Sequence, residues 1–70
     1  MKYIVKIVGQ GFETLCDTLA EAEAEAKRIT DKVPQQKDNI YINELSGTEI
    51  PTGAWYKYDR ENNKYVRRTI

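Results

Sequence analysis

Thr18-Leu19-Ala20-Glu21 opens the one stretch of this chain with helical periodicity, and that stretch limits what the rest can fold into. A threonine three residues ahead of a glutamate fits a capping box: the threonine oxygen accepts from the backbone near Glu21, and the carboxylate reaches back. Leu19, Ala22, Ala26, Ile29 and Val33 follow at spacings of 3, 4, 3 and 4, which makes one apolar stripe. Pro34 disfavours helical geometry at the residue before it, so the helix is predicted to end at Val33. Small alanines in the stripe let such a helix lie close to a sheet. Glu23 with Lys27, and Glu25 with Arg28, are expected as surface pairs.

The flanking sequence alternates instead. Residues 2–8 and 12–17 read as strands around Gly9-Gln10-Gly11, rich in β-branched side chains. A two-residue Gln10-Gly11 turn would set Val5 opposite Cys16 and Ile7 opposite Thr14. Tyr3, Val5, Ile7, Phe12, Thr14 and Cys16 then share the face expected to be the core. Lys2, Ile4, Lys6, Val8, Glu13, Leu15 and Asp17 share the other, which is not cleanly polar. Beyond a polar connection at residues 34–38, residues 39–45 read as a strand, with a Ser46-Gly47 turn into a short segment at 48–50. Residues 54–59 and 64–69 form a second hairpin around Arg60-Glu61-Asn62-Asn63. Its loop is either four residues or the two-residue Asn62-Asn63. In both registers Tyr56, Tyr58, Tyr65, Arg67 and Thr69 share one side, and Trp55, Lys57, Lys64, Val66, Arg68 and Ile70 the other.

One helix among strands in the order ββαβ(β)ββ predicts an α+β fold. It is a two-layer sandwich, the helix packed on a four- or five-stranded, mostly antiparallel sheet. Seventy residues suffice for one compact domain, taken as 1–70, since separate cores need at least about 50 residues each. A lone cysteine excludes an internal disulfide. The apolar run at residues 2–8 is broken by Lys6, so no signal peptide is read there, and no window approaches the roughly 20 apolar residues of a membrane span. The expected compartment is the cytoplasm, with no membrane association.

Catalysis is not expected. The chain has no histidine, the commonest general base and metal ligand. Cys16 falls just before a helix N-terminus, which can lower a thiol pKa, but its place on the core face reads as a small buried hydrophobe. Glu21, Glu23 and Glu25 suit a solvated acidic face near a helix start. Asp59-Arg60-Glu61-Asn62-Asn63 resembles the opening of a calcium loop, yet Lys64 and Ile70 stand where that loop needs glycine and glutamate. No cofactor and no metal are expected.

Two surfaces remain. If the helix covers the Tyr3, Val5 and Ile7 face, then Ile4, Val8 and Leu15 lie on the open side, joined by Trp55 if that face of the last hairpin is outward. This set is the candidate protein-contact surface, serving an unidentified partner or self-association such as a homodimer. The second draws on a charge asymmetry hidden by a formal net charge of +0. Residues 54–70 carry five basic side chains against two acidic, while residues 12–26 carry five acidic and none basic. Tyr56, Tyr58, Tyr65, Arg67 and Arg68 are therefore a candidate nucleic-acid surface, rings stacking on bases and cations meeting phosphates. Tyrosine cross-strand pairs also stabilise hairpins without any ligand. The reading preferred is a small non-catalytic binding or assembly module, with weak single-strand binding as the alternative.

Overall fold

In the computed structural model, which describes residues 1–70, the chain runs β1 (Lys2–Ile7), β2 (Glu13–Cys16), α1 (Leu19–Lys32), a 3-10 helix at Pro34–Asn39, β3 (Ile40–Leu45), β4 (Pro51–Asp59) and β5 (Lys64–Thr69). The five strands make one antiparallel sheet in the order β2-β1-β3-β4-β5, with α1 on one face. This is the α+β sandwich the patterning implies. β2 and β3 both run antiparallel to β1 and hence parallel to each other. Strands so related need a crossover connection, and α1 supplies it. No helix is long and apolar enough to cross a membrane.

The helix begins as its sequence dictates. The Glu21 N–H donates to Thr18 Oγ1 at 3.1 Å. The return leg differs from a full capping box: the Thr18 hydroxyl, rather than its backbone N–H, lies 3.4 Å from the Glu21 carboxylate. Ala22, Ala26 and Ile29 are buried in the stripe, but Val33 is 43% exposed. Val33 is the C-cap, at φ −133° and ψ 82°; the demand of Pro34 takes it out of helical geometry and off the stripe. Glu25 holds Arg28 through contacts of 2.7 and 2.9 Å. Lys27, however, pairs with Asp31 at 2.8 Å and not with Glu23, which lines a cleft beside the tyrosines of β4 and β5.

Two connections depart from the expected pairing. In the first hairpin Tyr3 faces Cys16 and Val5 faces Thr14, a slip of two residues that keeps every side chain on its expected face. The cause is a longer connection. Gln10 N–H donates to Ile7 O at 3.1 Å, Val8 N–H is taken by Asn39 O at 2.8 Å, and Gly9 sits at φ 77°, a region glycine enters at no steric cost. Second, residues 48–50 are not a strand. Ser46 Oγ accepts from the N–H groups of Thr48 and Ile50, each at 3.3 Å, and Glu49 has φ 62°. The local hydroxyl thus competes successfully for the N–H groups of Thr48 and Ile50. Instead β4 starts at Pro51 and shifts register between Asn43 and Leu45 of its partner. Gly53, at φ 91°, lets the strand bulge there. The last hairpin takes the four-residue loop of its two expected registers, Asp59 opposite Lys64, with Asn63 at φ 52°.

The core lies between α1 and the sheet. Val5, Ile40 and Ile42 are fully buried, joined by Ile7, Cys16, Ala22, Ala26 and Ile29 and edged by Tyr3, Phe12, Leu19, Tyr56 and Tyr65. Burial of one such large apolar side chain is worth about 1.5–3 kcal/mol.

Candidate binding surfaces

Because α1 takes one face of the sheet, alternate residues of every strand look out from the other. The pairing lines them up. Leu15 lies beside Ile4, Ile4 beside Asn43, Asn43 beside Trp55, and Trp55 beside Arg68. A second row runs Glu13, Lys6, Tyr41, Lys57 and Val66. Leu15 is 49% exposed and Val8, in the first turn, 54% exposed; Ile4 and Trp55 are half-buried. The candidate protein-contact residues are thus on one face. Val8, Trp55, Tyr41, Asn43 and Lys57 enclose a shallow depression there. Its flanking charges are partly quenched: Lys2 pairs with Asp17 at 2.9 Å and Lys6 with Glu13 at 3.2 Å. Arg68 makes no ion pair.

The aromatic and basic set is divided. Tyr56, Tyr58 and Tyr65 face the helix side. Tyr56 meets Tyr3 edge-on with ring centroids 6.2 Å apart, and Tyr58 meets Tyr65 at 5.4 Å. Arg67 shares that side but is held by Glu44, while Arg68 stands on the opposite face beside Trp55. The five residues do not form one surface, because strand alternation separates positions 67 and 68.

Glu44 is a functional-looking residue that the pattern reading passed over. It is 4% exposed, at the inward position of a strand that otherwise points Ile40 and Ile42 into the core. Arg67 Nε and Nη2 donate to its two carboxylate oxygens at 3.2 and 3.1 Å, and Thr52 Oγ1 donates at 2.9 Å. The β4 bulge brings Thr52 into range. Arg67, and after it Thr52, hold the carboxyl below its ordinary value against the opposing effect of burial. With both carboxylate oxygens engaged from neighbouring strands, the group ties β3, β4 and β5 together. The clue in the sequence is parity: an acid and an arginine at inward positions of neighbouring strands.

Cys16 is buried, and burial, reinforced by Glu21, Glu25 and Asp17, pushes its thiol up. Asp59 accepts from the Glu61 N–H at 3.0 Å and from Asn62 Nδ2 at 2.7 Å, an Asx-type turn that uses its oxygens locally. Comparison with protein-family models, with curated proteins and with solved structures found no match.

Proposed function

We propose that the chain is a small non-catalytic binding or assembly module of the cytoplasm, meeting another protein surface, a second copy included, through the open face of its sheet. One observation carries the reading: Leu15, Ile4 and Trp55 stand in a single lateral row, with Val8 and Tyr41 beside it, on a face that α1 leaves uncovered. Tryptophan, tyrosine and arginine are the residues that most often dominate protein interfaces, and Trp55, Tyr41 and Arg68 supply one of each. The non-catalytic part is supported by the absence of histidine, by the protonated Cys16 and by carboxylates engaged in structural pairs.

Sedimentation velocity from micromolar to millimolar protein, run beside Trp55 emission, tests it. The expected result is a sedimentation coefficient that rises with concentration, or an emission shift on adding a protein partner, and loss of either in Leu15→Glu. A strict monomer at every concentration, with Trp55 emission unmoved by every co-purifying protein, ends the proposal.

A further inference from the structure

Charge is ordered across the open face. The strand order β2-β1-β3-β4-β5 and the pairing of neighbours fix that order. At the β2 edge, Leu15 stands two residues from Glu13 and two from Asp17, both exposed acids. At the β5 edge Arg68 is exposed and makes no ion pair. The acids have room for it. Lys6 engages Oε1 of Glu13 and Lys2 engages Oδ1 of Asp17, so each carboxylate keeps one oxygen without a partner. Between the edges, Ile4 on β1 and Trp55 on β4 stand one strand to either side of Asn43 on the central strand.

A face that is acidic at one edge, apolar in the middle and basic at the other edge is complementary to its own reversal. Turning a copy by a half-turn about an axis along β3, in the plane between two facing sheets, produces that reversal. β5 of one chain then lies across β2 of the other, β4 across β1, and β3 across β3. We propose, on the open-face reading above, that the occupant of this face is a second copy of the chain, packed sheet on sheet about that two-fold axis. Arg68 of each copy sits between Glu13 and Asp17 of the other, and Trp55 of each lies against Ile4 of the other. Aligned sheets cross at about 30°, which carries Arg68 along the strand toward one of two acids, each about 7 Å from Leu15. The alternative two-fold, perpendicular to the strands, sets β2 on β2 and β5 on β5. Acid then meets acid and base meets base, an arrangement that like-charge repulsion rejects. Lys6 and Lys57 also come to face each other in the favoured arrangement, but each already donates within its own chain, to Glu13 and to the Asp38 carbonyl. Both contacts occur twice, as an isologous interface requires. Five strands, with six residues in β1 and in β3, present roughly 20 by 20 Å of face. That is about half the area per partner of a standard interface, so the dimer is weak and reversible.

Isotope-filtered NMR tests the arrangement on the unaltered chain. A millimolar mixture of isotope-labelled and unlabelled protein is expected to show contacts between the Ile4 methyls of one copy and the Trp55 indole of another. Sedimentation velocity reads the affinity. Arg68→Glu should weaken self-association at least about tenfold, because the two-fold repeats the repulsive contact. Adding Glu13→Lys and Asp17→Lys to that chain reverses both edges and should recover most of the loss. All three positions are exposed, and circular dichroism checks the fold of each variant. Filtered contacts that join Trp55 only to Trp55, or self-association unchanged in Arg68→Glu, overturn the inference. A strict monomer at millimolar protein, with Trp55 emission that shifts on adding a different purified protein, overturns it and leaves the open-face reading standing. A strict monomer whose emission no protein moves overturns both.

Discussion

At the scale of single residues, Glu44 carries the heaviest electrostatic obligation in the molecule. A carboxylate 4% exposed is tolerated because Arg67 and Thr52 meet it from two strands. Glu44 is the buried member of the pair and Arg67 is half exposed; removing Arg67 alone costs more than removing both, since the carboxylate is left charged and short of a partner. Arg67→Ala is therefore expected to lower the thermal midpoint by about 5–10 °C. The double change Glu44→Leu with Arg67→Leu should recover most of that loss in the same circular-dichroism melt. Ile42, fully buried and next to Glu44 on the same face, answers to packing alone. Ile42→Ala should cost about 2–5 kcal/mol in denaturant unfolding without changing the acid behaviour. Parity places both residues inward from sequence alone. That Arg67 lies 23 positions away in the chain and still reaches Glu44 is not a local property.

At the scale of elements, α1 was almost fully legible. Its cap, its stripe and its end are each set by neighbours within four residues; Val33, the partner of Lys27 and the return leg of the capping box differ from the pattern. The two buried alanines set how near the helix lies to the sheet. Ala26→Leu is expected to destabilise by about 1–3 kcal/mol, because an added side chain meets β-strand residues with no room to turn aside. Thr18→Ala should cost about 1 kcal/mol through the lost cap, read as a lower unfolding midpoint in urea with an unchanged slope. The hairpins were legible in face but less so in register. Gln10-Gly11 competes with a turn centred on Val8-Gly9, and the winner depends on Val8 N–H finding Asn39 O on β3. Residues 48–50 leave the expected strand for a similar reason: Ser46 offers their N–H groups a closer acceptor than any strand.

At the scale of the whole molecule, titration shapes stability. Asp17, Glu25, Asp38, Glu44 and Asp59 all lie below their ordinary values, held by Lys2, Arg28, Arg60, Arg67 and Asn62. A depressed carboxylate adds stability above its unfolded pKa and loses it as pH falls through the folded one. Cys16 and Tyr65 are displaced upward by burial, Tyr65 to about 12. The unfolded chain gives up those protons first, so stability falls as pH rises past the ordinary thiol value of 9.0 and phenol value of 10.0. With no histidine to titrate between these limits, the thermal midpoint should be flat from about pH 5 to 8 and fall on both sides. A sigmoidal step near neutral pH in a melt series would contradict this account. The same scale decides the surfaces. One helix can cover only one face of five strands, so the Leu15, Ile4 and Trp55 row is left open by arithmetic of layers.

The sequence by itself determined the class of fold, the limits of α1 and the division of the two hairpins into two faces, because periods of 3.6 and 2 are properties of adjacent residues. It also determined that Cys16 is a core thiol and that Tyr56, Tyr58 and Tyr65 stand together. Only the tertiary structure decided that β1 sits between β2 and β3, that the first hairpin slips by two residues, and that the tyrosine face turns toward the helix while Trp55 turns away. It alone coupled Glu44 to Arg67 and opened the cleft between α1 and the last hairpin. Each of those outcomes rests on contacts between segments far apart in the chain, whose free energies compete as whole arrangements and leave no mark on any local pattern.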